Sequence, residues 1–127
     1  MSNEEKTETT NNNNQETVDQ LTVKAEKLAD ESKLDESYLI FLEIIKLDPN
    51  NFNAHISLGN INYHTGKKED AVKNYIDTVK ITPLDRDAVM NLSYTLIEVG
   101  NKELSQKIMD AYLAENESKM KDVLNGI

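Results

Sequence analysis

The sequence predicts an all-α stack of helical pairs, and three observations carry that prediction. Pro49 and Pro83 stand 34 residues apart, and cutting at that period aligns residues 18–51, 52–85 and 86–119 without a gap. Certain places are small in every copy: Ala25, Gly59 and Ser93 in one column, and Ser37, Ala71 and Ser105 in another. Phe41, Tyr75 and Met109 form a large column, and Ile45, Val79 and Leu113 close the second apolar run of each copy. A fixed period with matched small and large places marks stacked supersecondary units, none of which can bury its faces alone.

Residues 1–16 contain one apolar residue, Met1, and predict a disordered tail, because they cannot bury enough surface to offset the entropy of ordering. The helical pattern starts at Thr17. Thr17 and Gln20 have the spacing of a capping box, and Leu21, Ala25, Leu28 and Ala29 then share one face. Asp30–Lys33 is polar and predicts a turn. A second helix is expected from about Asp35 to Leu47, burying Leu34, Tyr38, Phe41, Ile44 and Ile45, and Pro49 cannot continue it.

The second repeat predicts helices over Asn53–His64 and Lys68–Ile81, with Gly66 supplying the left-handed residue past the first and Pro83 stopping the second. In the third, Ala88–Val99 form the first helix, Gly100 repeats Gly66, and a helix from Lys102 turns Leu104, Ile108, Met109 and Tyr112 inward. Glu117 stands where the other copies have proline. Met120, Val123, Leu124 and Ile127 keep helical spacing. They predict a separate capping helix over 120–127, because the open end of a stack needs covering; extension of the preceding helix is the alternative.

A chain of 127 residues supports one domain. The absence of cysteine excludes disulfides, thiol catalysis and thiolate metal sites. The start does not resemble a signal peptide and no apolar run approaches the ~20 residues of a membrane span, so a cytoplasmic protein is expected. The net charge of −9 is concentrated before residue 52, and no basic stripe occurs, which argues against nucleic acid. Neutral or basic partners are favoured over acidic ones.

The repeats resemble the tetratricopeptide family. Leu58-Gly59, Gly66, Ala71, Tyr75 and Pro83 carry the resemblance in the middle repeat, Ala25, Leu28, Phe41 and Pro49 in the first, and Leu92, Leu96 and Gly100 in the third. The first repeat departs in having Lys24-Ala25 for the Leu-Gly pair, and Asn62 takes the place of an aromatic, with Tyr63 beside it. The resemblance implies three repeats over 17–119 wound into a right-handed superhelix whose concave face is lined by the first helix of each pair. The groove residues it implies are Asn53, Ser57, Asn60, His64, Asp87, Met90, Asn91 and Tyr94.

Asn60 and Asn91 stand out, because a carboxamide both donates and accepts and so can pair with an extended peptide backbone without reading its sequence. Asparagines at these places contact peptides in relatives of the fold. The clamp by which other relatives hold acidic chaperone tails is replaced here by Thr22, Glu26, Ser57, Asp87 and Asn91, with no cation. Tyr94 and Met90, with Tyr63, could floor the groove. His55 and His64 fall on opposite faces of one helix and cannot share a metal; His55 takes a core place and His64 lines the groove. The cluster Asp30, Glu31, Asp35 and Glu36 lacks the spacing of a calcium loop.

No phosphate loop, activated nucleophile or convergent acid–base set occurs, so neither enzyme activity nor a cofactor is expected. The expected function is a protein–protein interaction module that binds a peptide segment, as adaptor, scaffold or chaperone. The alternatives are self-assembly through the C-terminal helix and an acidic chaperone of secreted proteins.

Overall fold

A computed structural model describes the backbone of residues 3–127 and the side chains from residue 13 onward. Residues 1 and 2 of the expected tail lie outside the described residues. The described residues form seven helices and no strand: α1 (Asn3–Asp30), α2 (Leu34–Leu47), α3 (Phe52–His64), α4 (Lys68–Ile81), α5 (Arg86–Glu98), α6 (Lys102–Leu113) and α7 (Glu117–Asn125). The all-α class is the one predicted. No helix among the described residues is long and apolar enough to cross a membrane.

The 34-residue period reappears in the turns. Lys33, Lys67 and Asn101 donate their backbone N–H to Leu28, Asn62 and Leu96, while Ser32, Gly66 and Gly100 donate to Ala29, Tyr63 and Ile97. These bonds satisfy carbonyls that a helix end would otherwise leave open. The device needs a left-handed residue in the middle, and φ is 62° at Ser32, 84° at Gly66 and 89° at Gly100. Ser32 thus does with a side chain what glycine does in the other two copies. Glu115, with φ 51°, ends α6, and the N–H of Asn116 reaches the Ala111 carbonyl. That break makes α7 a separate helix, starting three residues before the expected 120.

Four helices start on asparagine or aspartate. Asn51, Asp85, Asn101 and Asn116 accept from the backbone N–H three residues on, at 2.8, 2.9, 3.2 and 2.9 Å. α2 and α4 begin on Lys33 and Lys67 with no side-chain cap. Asp35 and Glu36, and Glu69 and Asp70, place negative charge in their first turns instead.

α1 departs from expectation. Helix runs from Asn3, where composition predicts a disordered tail, and Thr17 lies inside it. Its hydroxyl donates to the Asn13 carbonyl at 2.8 Å, so the expected capping box with Gln20 does not form. Residues 13–17 are exposed. A helix nucleated downstream extends through polar residues at little cost, since each added residue gains one bond.

The helices gather into two compact units, one ending at Ala54 and one running from His55 to Ile127, with the boundary inside α3. In the first, α2 packs on α1. Ala25 and Ser37 are both fully buried, and the Ser37 hydroxyl donates to the Ala25 carbonyl at 2.8 Å. In the second, α5 contacts α4 and α6, and α7 contacts α6 and α4. Ser105 and Ser93 repeat the first unit's bond, at 3.0 Å. Leu58, Val79, Leu92, Ile108, Met120 and Leu124 fill the core around it.

The middle repeat has Gly59 and Ala71 at the crossing and no hydroxyl to spend there. The Tyr75 ring lies over Gly59 instead: a Cβ at that glycine would stand 2.5 Å from the ring edge. The large column is less regular in the third repeat. Phe41 and Tyr75 are buried, but Met109 and Tyr112 are only half-buried and Leu113 is 71% exposed. Ala111 takes the buried place instead.

Gly59→Ala is expected to destabilise the protein by about 1–3 kcal/mol, although alanine in a helix gains roughly 0.5–1 kcal/mol over glycine. The urea midpoint should fall, and Tyr75→Leu in the same chain should recover part of the loss. Ser32→Gly should have the opposite effect. Relief of about 1–2 kcal/mol of left-handed strain outweighs the extra freedom glycine gives the unfolded chain, and the midpoint should rise.

Candidate functional site

The site lies wholly in the unit His55–Ile127. α3, α4 and α5 enclose a hollow of about 340 Å³ lined by Asn60, Tyr63, His64, Tyr75, Asn91, Tyr94, Thr95 and Glu98. On α3 and α5 these residues recur three or four apart, which places them along one face of each helix. The Tyr75 phenol reaches the hollow from α4 because Gly59 leaves its ring room to cross.

Four of the eight expected groove residues line the hollow: Asn60, His64, Asn91 and Tyr94. Ser57, Asp87 and Met90 lie on the same two helices but outside the lining. Asn53 belongs to the other unit, where its amide donates to Glu26 Oε1 at 3.1 Å. Tyr75 and Thr95 were not among the expected residues. Thr95 is buried and donates to the Asn91 carbonyl at 2.6 Å. The signal for Tyr75 was its place in the large column opposite the single glycine of the small column.

The two asparagines differ. Asn60 Oδ1 accepts from the Tyr75 hydroxyl at 2.6 Å, which leaves its amide N–H groups for a ligand. Asn91 is half-buried, and its carboxamide keeps both functions open to the hollow. Tyr94 is 65% exposed and presents its ring to the hollow's mouth.

Three side chains from three helices meet at Glu98. The Tyr63 hydroxyl donates to Glu98 Oε1 at 2.7 Å, and Lys68 Nζ lies 3.0 Å from Oε2 and 5.7 Å from the Tyr63 ring centroid. The Tyr63 hydroxyl and then the Lys68 ammonium hold the Glu98 carboxyl below the usual range. The same contacts raise Tyr63 and Lys68 above theirs. The His64 ring stands edge-on to Tyr63 at 5.6 Å. His55 is buried as expected, with Nδ1 4.0 Å from the Asp77 carboxylate. Burial, with a smaller contribution from Tyr63, pushes the Tyr75 phenol up to about 12.

Residues 40–73 match the tetratricopeptide repeat family. The match runs from the middle of α2 through α3 into α4; it is one full period long and starts twelve residues before the helix pair of 52–85. The solved structures that resemble this one include those of MamA, a tetratricopeptide-repeat protein. A MamA point mutant is 16% identical at a TM-score of 0.65, over 84% of this chain and 72% of that one. MamA of AMB-1 is 16% identical at 0.66, over 87% and 56%, and MamA of MSR-1 is 17% identical at 0.60, over 84% and 56%. The chain thus spans little more than half the length of most of these MamA structures. No curated protein sequence is matched significantly. The repeat family is the one expected from the 34-residue period.

The raised Tyr75 phenol predicts a specific alkaline lability. The folded state favours the neutral form, so the stabilisation is complete below the ordinary value of 10.0 and is lost as pH rises through about 12. The urea midpoint of the wild type should fall more steeply with alkaline pH than that of Tyr75→Phe. At neutral pH the same variant should cost about 1 kcal/mol for the lost bond to Asn60.

Proposed function

We propose that the hollow between α3, α4 and α5 holds an extended segment of a partner protein, which makes this chain a protein-interaction module. The observation that carries the proposal is the Asn91 carboxamide, open in both functions inside a hollow walled by tyrosine rings. An amide of this kind pairs with a peptide N–H and C=O at once and leaves side-chain selection to the walls. The size also fits. A hollow of about 340 Å³ is at the small end for organic ligands and suits one or two side chains of a longer segment. The tetratricopeptide match at 40–73 agrees with this use of the scaffold.

A binding role is favoured over catalysis by the state of the polar groups. Glu98 is the one carboxylate lining the hollow and is engaged by Tyr63 and Lys68, while His64 has a ring edge and no carboxylate to orient it among the described contacts. The second reading is self-association through α6 and α7. Leu113 and Ile127, 71% and 57% exposed, favour it.

Asn91→Ala and Tyr94→Ala are the clean variants, because neither side chain supports the fold. Asn60→Ala is not, since it would also remove the acceptor of the part-buried Tyr75 hydroxyl, at about 1 kcal/mol. A peptide ligand selected from a displayed library should bind Asn91→Ala Tyr94→Ala weaker by about 1–3 kcal/mol, with the melting curve nearly unchanged. Equal affinity for the double variant would place binding elsewhere. A mass that rises with concentration would favour self-association.

A further inference from the structure

Resting on the reading of the hollow as a peptide groove, we propose that it selects its partner segment by one cationic side chain, arginine or lysine, seated between the Tyr94 ring and the Glu98 carboxylate. Tyr94 and Glu98 stand four residues apart on α5, hence on one face, and both line the hollow. Glu98 is the single formally charged group in that lining at neutral pH. Its neighbours there are tyrosine rings, whose faces attract cations.

The structure already shows an amine on Glu98, flanked by a tyrosine ring, though the ring is Tyr63 and not Tyr94. Lys68 Nζ sits 3.0 Å from Glu98 and within cation–π range of Tyr63, yet Lys68 is not part of the lining. It engages the carboxylate from outside the hollow. An ionised carboxylate offers about four lone-pair sites, and Tyr63 and Lys68 use two of them. Acceptor capacity therefore remains for a second cation. The unit carries eleven acids against nine bases, so its field also favours a basic segment over an acidic one.

Asn91 and the free amide of Asn60 would hold the backbone on either side of that residue. Specificity then has two layers, a backbone clasp that is indifferent to sequence and one charge-reading place. Lys68 is a competitor built into the chain, because it shares the carboxylate with the incoming cation and weakens its hold.

The test uses the isotope-labelled full chain, titrated by NMR with acetyl-Gly-Gly-Arg-Gly-Gly-amide and with the same peptide carrying citrulline, the neutral isostere, in place of arginine. The arginine peptide is expected to shift Asn91, Tyr94 and Glu98 saturably and to bind about fivefold tighter than the citrulline peptide. Glu98→Gln should remove that preference, and Lys68→Met should enlarge it. Tyr94→Ala, at an exposed position, repeats the test where Glu98→Gln disturbs the fold. Equal binding of both peptides at these residues would overturn the cation proposal and leave the groove standing. No saturable shift with either peptide would overturn both. A weaker preference in Lys68→Met would also sink the proposal, because it would show the lysine to be a support and not a competitor.

Discussion

The structure depends on how closely the two helices of a pair cross at their small column. Ser37 and Ser105, 68 positions apart, make the same bond to the backbone carbonyl of the facing helix, at Ala25 and at Ser93. A carbonyl inside a helix already accepts one bond and has a second lone pair, so the hydroxyl satisfies itself without breaking the ladder. The arrangement works only with small residues, because any longer side chain would part the helices. The middle repeat keeps the close approach and discards the hydroxyl. At Gly59 the missing Cβ becomes room for the Tyr75 ring, and the phenol emerges beside Asn60. The hollow exists because that crossing is made by glycine and tyrosine and not by two serines.

Much of the fold was legible because it is periodic. The small column, the glycines at 66 and 100 and the prolines at 49 and 83 mark places where sterics allow few residues, and the helix bounds followed to within two residues for α2 to α5, as did the start of α6. What periodicity could not carry was the phase of a single column. Leu113 aligns with Ile45 and Val79 yet is exposed, because α7 does not cover that side of α6. Ser32 aligns with Gly66 and Gly100 but hides the left-handed turn behind a residue that rarely adopts it. α1 was misread for a different reason. Composition reports whether side chains can be buried, and a helix already nucleated downstream continues on backbone bonds alone.

The site was half legible. The family resemblance names one face of the first helix in each pair, which is why Asn60, His64, Asn91 and Tyr94 were among the expected residues. It does not say how far along that face the hollow extends, so Ser57, Asp87 and Met90 were included without lining it. Nor can spacing within one helix reveal a contribution from another. Tyr75, on α4, and the Lys68 ammonium, at the start of the same helix, both depend on approach between elements.

The polar groups of the site divide by whether the fold has already used them. Tyr63 and Lys68 are tied to Glu98, and Tyr75 to one end of Asn60, so these two separate sets link α3 and α4 to α5 and α4 to α3. A further tie joins α3 to α4, where Asn62 donates to Asn74 at 2.7 Å in a place the family gives to an aromatic ring. Such polar ties gain little net stability, and those at Glu98 are open to solvent, but each is made in only one arrangement of the helices. The middle repeat therefore exchanges apolar contact for geometric definition. That exchange has a use only where a shape must be kept while part of it stays empty: the tied groups keep the walls apart, and the untied ones, Asn91, Tyr94 and the amide of Asn60, remain free to meet a ligand without first giving up a bond.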